Sequence, residues 1–150
     1  MNAFTGRAMR PAADVTALIA RIAVGVVFIA HGWQKVGMGL SGTAGMMEGM
    51  GVPAPQAAAL FAIAVELGGG ALLIAGLLQP VAGVLLALQM AGAVLFVHAS
   101  AGLTGEGGYE FPLVLGAAAL ALGFSGGRFA LDRLLPWGRE RSPEAVPAAS

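Results

Sequence analysis

No cysteine occurs in this chain of 150 residues, so it has no disulfide, no thiolate metal ligand and no thiol redox centre of its own. Charge is nearly as scarce. Asp, Glu, Lys and Arg together make up 11% of the residues, against about 25% in soluble domains, and only two histidines are present. The formal net charge is zero, and nothing in the charge pattern supports a nucleic-acid partner. What is abundant is apolar: 57% of the residues are hydrophobic and the mean hydropathy is +0.81. A soluble core of this size cannot absorb so much apolar surface.

Four stretches, residues 15–36, 57–78, 81–103 and 111–129, are each near the length of about 20 apolar residues that crosses a bilayer. The expected fold is all-α, an integral membrane four-helix bundle made of two antiparallel helical hairpins, with backbone polar groups satisfied inside each helix. Residues 1–14 are expected to form a cytoplasmic N-terminal segment, 15–134 the transmembrane domain, and 135–150 a flexible cytoplasmic tail containing Pro136, Pro143 and Pro147. The first stretch is not a cleaved signal: its run is too long, Arg21 interrupts it, and no small-x-small site follows cleanly. Arg7 and Arg10 precede it, and Arg128, Arg133, Arg139 and Arg141 end or follow the fourth stretch, while Lys35 is the one cation on the other side. Both termini are therefore expected in the cytoplasm.

The connection 37–55 is rich in glycine and methionine, and a short interfacial helix is expected within it, around residues 44–50. Leu78-Gln79-Pro80 is a tight turn, so helices two and three must be antiparallel neighbours. Gly68-Gly69-Gly70 and the small residues after Leu115 allow close helix packing without large side chains.

Of the few ionisable residues within the apolar stretches, Arg21, His31, Glu66 and His98 are the ones that need explaining. A charge at membrane depth costs about 2.5–3.5 kcal/mol on insertion scales, so it is usually paired or faces a cavity. Two readings stand for Arg21, a pair with Glu66 or snorkelling to cytoplasmic phosphates. For Glu66 a paired or proton-handling role competes with a protonated carboxyl bonded to the backbone or to Gln89. His31 and Lys35, four residues apart, share a helix face. With His98 and Glu110 approaching the same level, they outline a polar pocket that opens outward and is floored by Glu66. The rival is a set of separate side chains facing water, and that reading is preferred for His98. A weak repeat relates residues 25–31 to 92–98 and places His31 and His98 at similar depth. Two histidines on different helices do not supply the three or four converging ligands of a metal site, so none is expected.

Arg21, His31-Gly32 with Lys35, Gly51-Val52-Pro53-Ala54-Pro55, Glu66-Leu67-Gly68-Gly69, Gly76-Leu77, Tyr109-Glu110, and Gly126-Gly127 followed by Leu131-Asp132 stand in a distinctive order. Over residues 19–133 the chain resembles the DoxX family of small four-helix bacterial membrane proteins. Gln79-Pro80 departs from the Thr-Arg often found in that family after the second-helix Gly-Leu. The resemblance implies a bacterial cytoplasmic (inner) membrane protein that acts as a membrane subunit or partner of an oxidoreductase system linked to thiosulfate or oxidative stress. It implies Arg21, His31, Lys35, Glu66 and Glu110 as the functional set, with Asp132 capping or anchoring the cytoplasmic end.

The chain carries no intrinsic cofactor, and electrons would have to arrive from another protein, with a bound quinone as the expected ligand. Glu66 and His31 are then the candidate proton-handling residues. An accessory subunit is expected more than a self-sufficient enzyme. The expected partners are the lipid bilayer, a redox enzyme and a second copy of the chain. A non-catalytic scaffold that recruits soluble enzymes, and a small proton-coupled transporter component, are the alternatives.

Overall fold

Long apolar runs punctuated by glycine and proline favour helices, whose backbone donors and acceptors are met internally. The computed structural model describes the backbone of residues 3–125 and 127–135, and side chains from Pro11 onward. Among the described residues every regular element is helical and no strand occurs. Helix α1 runs Ala3–Gly49, α2 Pro55–Ala75, α3 Gln79–Ala101 and α4 Glu110–Ser125. The first three are long and apolar enough to cross a membrane, α1 being counted from Pro11. With 16 residues, α4 measures about 24 Å at 1.5 Å per residue.

Two helix ends differ from the spans expected from composition. The first helix does not stop near residue 36 but continues to Gly49, with a single break at Gly39 (φ 73°, ψ 164°). A glycine costs a helix only about 1 kcal/mol relative to alanine, so a glycine-rich run need not be a loop. Residues 40–49 are the short helix expected around 44–50, joined directly to the first span. The fourth helix ends at Ser125 and not at residue 129; Gly127 adopts φ 113° and the chain turns back. Residues 3–14, within the expected cytoplasmic N-terminal segment, are helical and continuous with α1. Apart from Leu135, the tail expected over 135–150 lies outside the described residues.

Glycine sets how closely the helices approach. A Cβ on Gly25 would stand 2.7 Å from the Gly70 carbonyl oxygen, and one on Gly70 would stand 2.9 Å from that of Gly25. Helices α1 and α2 therefore touch backbone to backbone. Gly83 of α3 and the Ala119–Gly123 stretch of α4 meet in the same way, with 2.7 Å from a Cβ on Gly83 to the Ala119 oxygen. Phe28, Leu73, Leu86, Leu115, Ala119 and Leu122 join the helices in one buried cluster. Large apolar side chains such as Ile19, Leu60, Leu88, Leu95, Val114 and Phe124 are exposed. Glycines at the helix contacts and large apolar side chains on the outer surface suit lipid, where packing and not water exclusion drives helix association.

The chain beyond α4 closes one end of the molecule. Asp132 accepts hydrogen bonds from the backbone N–H groups of Leu78 (2.8 Å) and Gln79 (3.0 Å), capping the start of α3 from 53 residues away. A carboxylate at a helix N-terminus is favoured by both the unpaired donors and the dipole. It also holds Leu78 at φ 49°, a left-handed conformation that side chains resist. The Asp132 N–H in turn donates to the Gly76 carbonyl at 2.9 Å, and Asp14 accepts from the Arg128 N–H at 3.0 Å. The beginning of the first span and the end of the last therefore lie together, and the opposite end of the molecule is built from residues 37–55 and the α3–α4 connection.

Candidate functional site

Glu66 is the sole acidic residue of α2, and it sits in a π-helical turn, Val65–Gly69. A π turn accommodates one extra residue, and such bulges occur frequently at functional sites. The carboxyl group is almost fully buried, with 3% of the side chain exposed, and is met from two neighbouring helices. Lys35 of α1 donates to both carboxylate oxygens at 2.8 Å. Gln89 of α3 donates through Nε2 to Oε1 at 2.6 Å. Beyond the break at Gly39, Thr43 donates through Oγ1 to the Lys35 carbonyl at 3.1 Å, which fastens helix 40–49 back over the lysine. Removing one member of such a pair leaves the other charge buried and uncompensated, at a cost of about 3–5 kcal/mol.

A cavity of about 490 Å³ adjoins this cluster, within the range of about 300–1,000 Å³ usual for small-molecule sites. Lys35, Glu66 and Gln89 form its polar wall, and Phe28, Phe61, Phe96 and Phe111 give it aromatic surface. Met46, Met47 and Met50 cover it from the helix 40–49 side; their unbranched thioethers adapt to irregular shapes and make favourable contacts with aromatic rings.

His31 and His98 both line the cavity. The His31 ring lies 5.9 Å from that of Phe111 at 46°. His98 ends a second π-helical segment, Ala93–His98, and its Nδ1 is 2.7 Å from the Gly107 carbonyl oxygen. A carbonyl only accepts, so Nδ1 carries the proton, and in the neutral ring Nε2 is the acceptor.

Four of the six residues singled out in the sequence, His31, Lys35, Glu66 and His98, thus border one cavity. Glu110 does not: it is exposed on the first turn of α4, its N–H bonded to the Leu103 carbonyl at 2.9 Å. Arg21 lies at the other end of the molecule. It is fully buried, packed against Gly76, where α2 ends in a pair of bonds from Gly76 N–H to Leu73 O and Leu77 N–H to Leu72 O. None of its nitrogens has a hydrogen-bond partner among the described residues; the negative end of the α2 dipole supplies a favourable field.

The partner of Glu66 is accordingly Lys35 and not Arg21. Gly25 opposite Gly70 and Gly32 opposite Leu67 fix α1 and α2 in a register that puts Lys35 level with Glu66. Arg21 is 14 residues from Lys35, about 21 Å along the helix.

A family model described as DoxX matches residues 16–99, more than half of the chain. The chain belongs to the DoxX family. Among curated proteins, this DoxX chain is 35% identical over 125 residues to "Putative oxidoreductase CatD" of Bacillus subtilis, covering 83% of the chain and 90% of that protein. It is 35% identical over 133 residues to the inner membrane protein YqjF of Escherichia coli, covering 85% of the chain and 97% of YqjF. A second Escherichia coli inner membrane protein, YphA, is 35% identical over 95 residues, 63% of the chain and 67% of YphA. No solved structure matches the chain. Long apolar helices and these relatives agree on a membrane protein.

Three groups at the site of this DoxX protein were not singled out in the sequence as site residues: Gln89 as a wall residue, the phenylalanines, and the methionines at 46, 47 and 50. The methionine cluster within a short glycine-rich segment was the available signal for the last of these.

Proposed function

We propose that this protein is the membrane subunit of an oxidoreductase system, and that its cavity holds a quinone-type ligand whose protonation is managed by Lys35, Glu66 and His31. The observation that carries this reading is the buried Lys35–Glu66–Gln89 cluster set in the wall of an otherwise aromatic and methionine-rich cavity. A few convergent polar groups in an apolar pocket are what small-molecule recognition requires, and ionisable residues at membrane depth mark ligand or proton pathways. The oxidoreductase wording in the name of the Bacillus subtilis relative points the same way.

Four helices form a bundle in the bacterial inner membrane with both termini cytoplasmic, by the excess of arginine at that end. The cavity then lies toward the external side, with helix 40–49 at the interface above it. Reduction of a quinone to a quinol takes two electrons and two protons. The chain has no thiol, and the electrons come from a partner enzyme.

Lys35 holds protons at the cavity wall. Giving one to a reduced carbonyl oxygen leaves a neutral amine still in hydrogen-bond reach of the Glu66 carboxylate. His31 borders the same cavity, and an imidazole can both accept and donate a proton, which suits it to pass the second one.

Purification in mild detergent, followed by lipid extraction and mass spectrometry, tests this reading. A stoichiometric quinone is the expected result. A quinone-free preparation that brings down a soluble enzyme in fixed proportion would support a scaffold in its place.

A further inference from the structure

Helices α2 and α3 are joined by the tight turn at Leu78 and part as they leave it. Their close contacts are concentrated in residues 65–75 of α2, while Pro55–Ala64 packs on α1. Val65–Gly69 of α2 and Ala93–His98 of α3 are π-helical, and helices bend at such segments. No residue of Ala93–His98 is buried. The two helices therefore flank a wedge, closed at the level where Gln89 meets Glu66 and open toward the external end.

The cavity extends to the rim of this wedge. Phe61 of α2 and Leu88 and Phe96 of α3 all line it, yet 44%, 60% and 46% of them is exposed, so the cavity is not closed on this side. Leu88 immediately precedes Gln89, so the opening reaches the depth of the polar wall, well inside a helix that runs Gln79–Ala101. Around an apolar helix at that depth the surroundings are lipid. Toward the external water the cavity is faced instead by Met46, Met47 and Met50.

We infer that the cavity opens sideways into the bilayer between α2 and α3, and that its ligand is an amphiphile drawn from the lipid, with a quinone-type head at the polar wall and a long hydrocarbon chain that leaves over Phe61 and Leu88. This deepens the proposed function and rests on it. A chain leaving there meets Leu60 and Val84, both exposed on the same helices, and stays in hydrocarbon throughout. It gains little by that contact, since lipid tails are as apolar as leucine. Recognition therefore belongs to the head, and the length of the chain is not read. A site that opened to water would behave in the opposite way: the chain would have to leave the lipid, and each methylene so exposed would weaken binding about fourfold.

Photolabelling of the full-length protein in vesicles of phosphatidylethanolamine and phosphatidylglycerol tests the inference with two benzoquinones. One carries an aryl azide at the end of a decyl chain, the other an azide on a chain-free ring, and label counts where an excess of the corresponding unlabelled quinone suppresses it. The chain-end probe should label residues 57–64 or 81–88, and the ring probe the cavity wall. As competitors of the ring probe, butylquinone and decylquinone at equal mole fraction in the membrane should agree within about threefold. At a site opening to water the six extra methylenes would weaken the decyl compound by more than about a thousandfold.

That loss, or suppressible chain-end label confined to other segments, residues 37–53 and 99–109 above all, overturns the inference and leaves the cavity as a quinone site entered from water. Chain-end label that no competitor suppresses, beside suppressible ring label, overturns it as well. Absence of suppressible label from both probes overturns the proposed function together with it. Every measurement is made on the unsubstituted protein, so no folding defect intervenes.

Discussion

Glu66→Gln is expected to destabilise the protein by about 3 kcal/mol, the lower part of the range for breaking a buried ion pair, and to abolish ligand binding at the cavity. The substitution keeps the shape of the side chain and an acceptor for Lys35, but it removes the charge that compensates a cation of which 15% is exposed. Partial exposure and a long flexible stem let the ammonium turn toward water, which is why the lower value is expected.

The companion experiment separates structure from function. Replacing both partners, as Lys35→Met with Glu66→Leu, removes two charges from a low-dielectric site, and such replacements are often neutral or stabilising. The double variant is therefore expected to recover the thermal stability lost by the single one while still failing to bind ligand. Thermal unfolding in detergent and calorimetric titration on the same preparations read the two effects. Full binding by the double variant would show the pair to be purely architectural.

Gly83→Leu is expected to have the second large effect, for a different reason. A Cβ at this position would stand 2.7 Å from the Ala119 carbonyl oxygen and 2.8 Å from the Gly123 Cα. Both obstacles are backbone atoms of α4, so no rotamer change relieves them and α4 must move as a body. Overpacking a well-packed core costs about 1–3 kcal/mol, occasionally more, and a displaced helix belongs at the upper end.

The cavity should suffer with it, since α3 contributes Gln89, Met90 and Phe96 and α4 contributes Phe111, Pro112 and Leu115. Reduced thermal stability and weakened ligand binding are expected together. Gly45→Ala is the control: a Cβ there meets nothing within 4 Å, so stability should not fall and should rise by up to about 1 kcal/mol from helix propensity.

The contrast between these sites shows what was legible in the sequence. Apolar run length gave the number and helical nature of the elements, because in lipid a helix is the one local structure that satisfies its own backbone. Helix ends were less legible, since glycine in residues 37–49 weakens a helix without ending it except at Gly39. The pairing of Glu66 with Gln89 could be foreseen: the tight turn at Leu78-Gln79-Pro80 fixes which residues of α2 and α3 stand opposite one another, and 66 and 89 are nearly equidistant from it.

No such constraint joined α1 to α2. Their connection contains an entire short helix, so many registers were open and Arg21 was as plausible a partner for Glu66 as Lys35. Packing chose between them, through the backbone contact of Gly25 with Gly70 and the seating of the Leu67 side chain against Gly32. The likeness of residues 25–31 to 92–98 is matched by two histidines at one cavity, but not by the glutamates: Glu66 is buried and Glu110 exposed. The α3–α4 connection folds back to bond Glu110 N–H to Leu103 O, a long-range turn that no periodicity announces.

Photolabelling with an azidoquinone, followed by peptide mapping, most directly tests whether the cavity between the helices is the ligand site. Label is predicted in residues 46–53 and 88–98, both of which line the cavity, and excess unlabelled quinone should suppress it. Label near Gly76 and Gly83 at the other end, or spread over the lipid-facing side chains and insensitive to competitor, would contradict the account.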